Sequence, residues 1–143
     1  MTPEHAVRIR AAALEAIVAH ARAERPRECC GLLIGAGGVV VEAVATENAA
    51  DDPVRRFEIP PLEHIRQIRR CRTLTAESGE RHDVIGAYHS HPRSAAEPSP
   101  TDIEQAFQDF VYVIAGSADA DDVVANAYRL TSDGMTPIPM EVC

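Results

Sequence analysis

The chain reads as an α/β protein. Three observations lead there: short apolar runs bounded by glycine or polar turns alternate with stretches that repeat their apolar residues at helical spacing; a Gly-Ala-Gly-Gly segment separates two strand-like runs; and a later strand-like run leads into a proline-punctuated loop before another helix. Val7–Ile9 is a short strand. From Ala11 to Ala23, Leu14, Ile17, Val18 and Ala21 recur at helical spacing, and Pro26 lies just past the end, so this helix covers one face of a sheet. Cys30–Ile34 and Val39–Ala45 are two arms of a hairpin turning at Gly35-Ala36-Gly37-Gly38. Phe57–Ile59 is expected as a brief strand, and Leu62, Ile65 and Ile68 mark a second helix. Val84–His89 is a strand, Pro100–Phe107 a third helix, and Val111–Ala115 and Val123–Leu130 are core strands joined through a turn at Asp119-Ala120-Asp121-Asp122. Ser132-Asp133-Gly134 turns the chain into a final short strand.

The 143 residues are enough to bury a sizeable core and read as one domain spanning 1–143, without repeats or a linker. Asp and Glu outnumber Lys and Arg 22 to 14, a formal net charge of -8, which repels nucleic acid and anionic membranes. No apolar run reaches membrane-spanning length and the start lacks a signal-peptide pattern, so a cytoplasmic protein is expected. Arg66, Arg69, Arg70 and Arg72 form a mostly solvated helix face that could steer an acidic partner. Cys29 and Cys30 are adjacent, which seldom suits a disulfide, and Cys71 and Cys143 have no framework, so all four are expected reduced. His5, His20, His64 and His82 lack a partner at ligand spacing and are expected at the surface.

The chemistry concentrates between His89 and Asp102. Side chains two apart on a strand share a face, so His89 and His91 can converge on one ion. Pro92, Pro98 and Pro100 force a loop, and Asp102 falls in the first turn of the next helix. Two imidazoles and a carboxylate leave a fourth position on zinc for water, the arrangement of catalytic zinc. A metal-activated water still needs a proton acceptor, and Glu28, standing before the buried run Cys29–Gly35, is the candidate. Ser99-Pro100-Thr101-Asp102 is also a good helix start, with Ser99 as cap; capping and catalytic assistance are compatible.

Glu28-Cys29-Cys30-Gly31-Leu32, His89-Ser90-His91-Pro92 and, after the intervening loop, Ser99-Pro100-Thr101-Asp102 together resemble the signature of the JAMM (MPN-plus) metalloproteases. The resemblance implies a single MPN-like, cytidine-deaminase-like domain: a mixed, curved β-sheet flanked by about three helices, with zinc at one edge. It implies His89, His91 and Asp102 as zinc ligands, Glu28 as general base and acid, and Ser99 as hydrogen-bond donor to the oxyanion. It also implies hydrolysis of peptide or isopeptide bonds at the C-termini of ubiquitin-like proteins. The short connections after Asp102 resemble the compact bacterial and archaeal members, whose substrates are ubiquitin-like or sulfur-carrier β-grasp proteins ending in Gly-Gly. Three alternatives stay open: a JAMM peptidase acting on a cell-wall or phage-tail peptide, a non-catalytic MPN scaffold, and a non-haem iron oxygenase, which has no use for Glu28 or Ser99.

Overall fold

The computed structural model describes residues 6–119 and 122–143. Its elements run β1 (Val7–Ile9), α1 (Ala11–Glu24), β2 (Cys30–Ala36), β3 (Val39–Thr46), α2 (Pro61–Ser78), β4 (His82–His91), α3 (Pro100–Gln105), β5 (Val111–Asp119), β6 (Asp122–Thr131), β7 (Gly134–Ile138) and β8 (Met140–Val142). All eight strands belong to one mixed sheet in the order β7-β6-β5-β4-β2-β3-β1-β8. β4 runs parallel to β5, and β1 parallel to both β3 and β8; the other pairings are antiparallel. Only Pro139 separates β7 from β8, yet these two strands end opposite edges of the sheet. The sheet therefore curls until its edges almost meet, wrapping around α1, which touches β3, β4, β5 and β6.

Each element follows from local chemistry. Gly37 and Gly38 both adopt positive φ (59° and 78°) and close the β2–β3 hairpin as a two-residue turn, which requires left-handed backbone at both positions. The turn is thus narrower than the four residues expected from sequence, with Gly35 and Ala36 completing β2. α1 buries Ala13, Ile17 and Ala21, spaced by four, against Ile9, Leu33, Val40, Tyr88 and Val113. α2 stops at Gly79, whose left-handed conformation (φ 75°) lets its N–H bond to the Thr75 carbonyl.

Several expectations are corrected. Phe57–Ile59 pairs with no strand and packs as a loop over the sheet face opposite α1. The expected final strand is two, β7 and β8, because Pro139 cannot donate to a ladder and the chain changes partners around it. α3 is two residues shorter than expected, ending at Gln105. In α2 the buried residues are Gln67 and Cys71, whereas Leu62, Ile65 and Ile68 are exposed. Asp119 pairs with Asp122 across the expected turn, while Ala120, Asp121 and, at the other end, His5 lie outside the described residues. His20 is partly covered rather than fully solvated: its Nδ1 meets the Tyr88 hydroxyl at 2.8 Å. His64 and His82 are partly covered.

The curl brings one close contact to bear on the loop after β4. Gly116 stands beside His91 in the parallel β4–β5 pair, and a Cβ there would lie 2.2 Å from the Ala96 nitrogen. Gly116→Ala is expected to lower stability to urea by about 1–3 kcal/mol, because backbone rather than a flexible side chain must give way.

Candidate metal centre

β4 carries two sets of side chains. Tyr88 packs in the α1 core and Ser90 lies on the same side, while Ala87, His89 and His91 alternate onto the opposite face. Along β2 and the residue before it the same alternation puts Cys29 and Leu33 in the α1 core and Leu32 on the opposite face. Glu28 has the parity of Leu32 and so enters on the face of the two histidines. Ser90 pins this register: its hydroxyl accepts the Cys29 N–H at 2.8 Å while its own N–H bonds to the Cys29 carbonyl at 3.1 Å.

Beyond β4 the loop is tied down at several points. Ser117 N–H bonds to the Ser94 carbonyl, and the Tyr128 hydroxyl and Asn126 amide both donate to the Ala96 carbonyl. The loop delivers Ser99 as the cap of α3. Its hydroxyl accepts the Asp102 N–H at 3.1 Å, and the Asp102 carboxylate accepts the Ser99 N–H at 2.9 Å, a reciprocal capping box that aims Asp102 at β4.

The result is a triangle of donor atoms. His89 Nε2, His91 Nε2 and Asp102 Oδ2 are each 3.1 Å from the other two. A tetrahedral zinc with ligands at ~2.0–2.1 Å spaces them by about 3.3 Å, so the triangle fits such an ion within a few tenths of an ångström. The chemistry agrees: His91 Nδ1 donates to the Ala95 carbonyl at 3.0 Å, which leaves the lone pair on Nε2. Burial keeps His89 neutral by pushing its pKa down, against the pull of Asp102. Asp102 is held well below the usual carboxylate range; burial opposes this, but the two adjoining imidazoles and the hydrogen bond from the Ser99 N–H outweigh it. These three residues could hold a metal. The expectation of a site at the sheet edge is corrected, since β4 is an interior strand and the triangle sits at its carboxyl end.

Glu28 is 7% exposed and lines the same cleft as His91. Burial raises its carboxyl to about 7, with Asp102 and Asp52 adding to the rise and His91 opposing it. A carboxyl poised there can accept and return a proton at neutral pH. Ser99 lies beside Asp102 rather than free in the cleft, but a hydroxyl that accepts one hydrogen bond keeps its own proton to donate.

Two contributors escaped sequence reasoning. Phe57 stacks on His89, ring centroids 4.3 Å apart at 17°, and fixes the plane of that imidazole. Asn48 organises the loop that brings Phe57 in. Its amide donates to the carbonyls of Glu28, Pro53 and Arg56 and accepts the N–H groups of Ala50 and Glu58. The Glu28 N–H in turn bonds to Pro53. The only signal available in sequence was an Asn preceding Asp51-Asp52-Pro53, a turn-forming composition.

A family model described as prokaryotic homologs of the JAB domain matches residues 10–131. The chain belongs to this family. Among its relatives in the JAB family, a desampylase from Haloferax volcanii is 35% identical over 109 residues, covering 71% of this chain and 74% of the relative. A CysO-cysteine peptidase from Mycobacterium tuberculosis is 31% identical over 146 residues, 94% of this chain and 89% of the relative. The solution structure of a protein from Desulfitobacterium hafniense superposes with a TM-score of 0.79 at 26% identity, covering 96% and 92% of the two chains.

The raised Glu28 carboxyl has a stability consequence. The folded state holds this proton more tightly than the unfolded chain, so folding loses stability as pH rises from about 4.5 to about 7 and keeps that loss above it. In metal-free protein, Glu28→Gln is therefore expected to melt higher than wild type at pH 8. The gap should close as the pH falls toward 4.5, as followed by thermal denaturation in chelator.

Proposed function

We propose that this JAB domain, acting as one unit over residues 1–143, is a zinc-dependent peptidase. It hydrolyses the bond after the C-terminal Gly-Gly of a ubiquitin-like or sulfur-carrier β-grasp protein. The observation that carries the reading is the buried triangle of His89, His91 and Asp102 with Glu28 beside it; the names of the relatives, a desampylase and a CysO-cysteine peptidase, support the substrate class.

Zinc bound there would supply Lewis acidity, lowering the pKa of water toward neutrality and polarising the scissile carbonyl. The remaining work falls to this chain. His89, His91 and Asp102 would hold the ion through three donor atoms. Glu28 takes a proton from the attacking water at its carboxylate and returns it to the leaving nitrogen. The Ser99 hydroxyl donates to the oxygen that becomes negative in the transition state.

Both neighbours of β4 are already paired, so the substrate cannot extend the sheet beside the ligands. It lies instead in a cleft of about 740 Å³ on the Phe57 side, lined by Leu32, Phe57, Ile59, Ala87, Phe107 and Tyr112. A Gly-Gly tail can enter such a cleft extended, since without β-carbons it approaches the metal closely while the folded body stays outside.

Three outcomes check this. His91→Ala should lose most bound zinc while retaining its circular-dichroism spectrum; unchanged zinc stoichiometry would contradict the ligand set. Glu28→Gln should keep zinc and lose at least about a hundredfold in turnover. A β-grasp carrier extended beyond Gly-Gly should be cut immediately after the second Gly, as read by mass spectrometry, and changing that Gly to Val should stop the reaction.

A further inference from the structure

The two imidazoles of the triangle are steadied in different ways. The Cβ–Cγ torsion of a histidine is soft, and its Nε2 lone pair lies in the ring plane, so a metal-binding imidazole needs something to hold that torsion. The usual device is a hydrogen bond made by the other ring nitrogen. His91 has one, from Nδ1 to the Ala95 carbonyl at 3.0 Å. His89 has none: it is 1% exposed, and among the described residues its Nδ1 finds no partner.

An aromatic face stands where that hydrogen bond would serve. The Phe57 ring lies flat against His89, centroids 4.3 Å apart and planes 17° from parallel, whereas the His91 ring meets it edge on at 61°. Turning His89 about Cβ–Cγ drives one edge of its ring into the Phe57 face and opens a gap at the other, so the stacked surface restrains the same torsion.

Phe57 is held in turn by a single amide. Asn48 Nδ2 donates to the Arg56 carbonyl at 2.9 Å, and Asn48 Oδ1 accepts the Glu58 N–H at 3.0 Å, so the residues before and after Phe57 are fastened to the same side chain. The Ala49 N–H adds a bond to the Glu58 carbonyl at 2.8 Å. None of these bonds involves His89, His91 or Asp102. We propose that Phe57 is the positioning residue of His89, its face serving as the Ala95 carbonyl serves His91, and that Asn48 acts on metal binding through it. Affinity for zinc then depends on a flat side chain at position 57 as well as on the three ligands. The inference rests on the metal-site reading above.

Zinc affinity of the full chain, measured by competition with a chromophoric chelator, tests this without reference to turnover. Phe57→Tyr keeps the flat face and should bind zinc as the wild type does. Phe57→Leu keeps much of the apolar bulk without the face and should bind about tenfold or more weakly, the scale of a lost outer-shell partner. Co2+ in place of zinc gives a second readout, because its visible bands follow ligand geometry: they should be unchanged in Phe57→Tyr and shifted in Phe57→Leu. Asn48→Ala should weaken zinc as well, and its effect should vanish when combined with Phe57→Leu, since both act through one ring. Circular dichroism in chelator establishes that each variant folds, and Phe57→Met replaces Phe57→Leu if the latter does not. Wild-type affinity and spectrum in Phe57→Leu, equal losses in Phe57→Leu and Phe57→Tyr, or an Asn48→Ala effect that adds in full to that of Phe57→Leu would overturn the inference while leaving the metal site intact. Failure of the wild type to bind zinc would overturn both.

Discussion

Everything around the site answers one electrostatic problem: two imidazole nitrogens and a carboxylate oxygen held 3.1 Å apart, out of water, at the end of an interior strand. Without a cation, such a cluster gives up hydration and gains only its own hydrogen bonds, and crowded polar atoms in a buried place are costly unless fully partnered. Among the described residues, His89 Nδ1 has no hydrogen-bond partner. A divalent ion would turn the same crowding into favourable coordination, and backbone, cap and ring stacking combine to hold the three atoms in place.

The supports come from sequence-distant pieces. The Ser90–Cys29 contact fixes β2 against β4 and so sets where Glu28 enters; the Ala95 carbonyl fixes the tautomer of His91; the capping box fixes Asp102; Phe57 fixes the ring of His89. Each support depends on a different tertiary contact. Gly116 lets the loop approach β5, Asn48 folds the segment bearing Phe57, and the α1 core anchors β4 through Tyr88. Glu28 is the member left with a mismatch, buried where its charge is disfavoured, and this strain keeps its proton exchangeable near neutral pH.

What sequence revealed and what it hid divide along physical lines. Strands and helices with strong periodicity were legible, as was the H-x-H pair, because alternation on a strand is a purely local rule. The capping box was legible for the same reason. The site's place at an interior strand was not, since strand order depends on long-range pairing that no local pattern encodes. Phe57 looked like a strand residue because aromatic and β-branched types favour strands, yet its burial against an imidazole gave it a different use. The apolar spacing of Leu62, Ile65 and Ile68 correctly marked a helix but not its inner face; Gln67 and Cys71 turn inward instead. Asn48 carried no distinguishing mark, because a turn-forming Asn and one that gathers five hydrogen bonds look alike until the loop is closed.

Glu28 and His91 line one cleft of the site, while Phe57, stacked on His89, lines another. That arrangement has meaning only if the ion lies where the three donor atoms converge. Diffraction from zinc-loaded crystals, recorded on both sides of the zinc absorption edge, locates it directly. One anomalous peak per chain within about 2.0–2.2 Å of His89 Nε2, His91 Nε2 and Asp102 Oδ2, with Glu28 outside coordination distance, is the expected result. A peak at the cysteines, or one in which Glu28 closes the fourth position, would contradict the account.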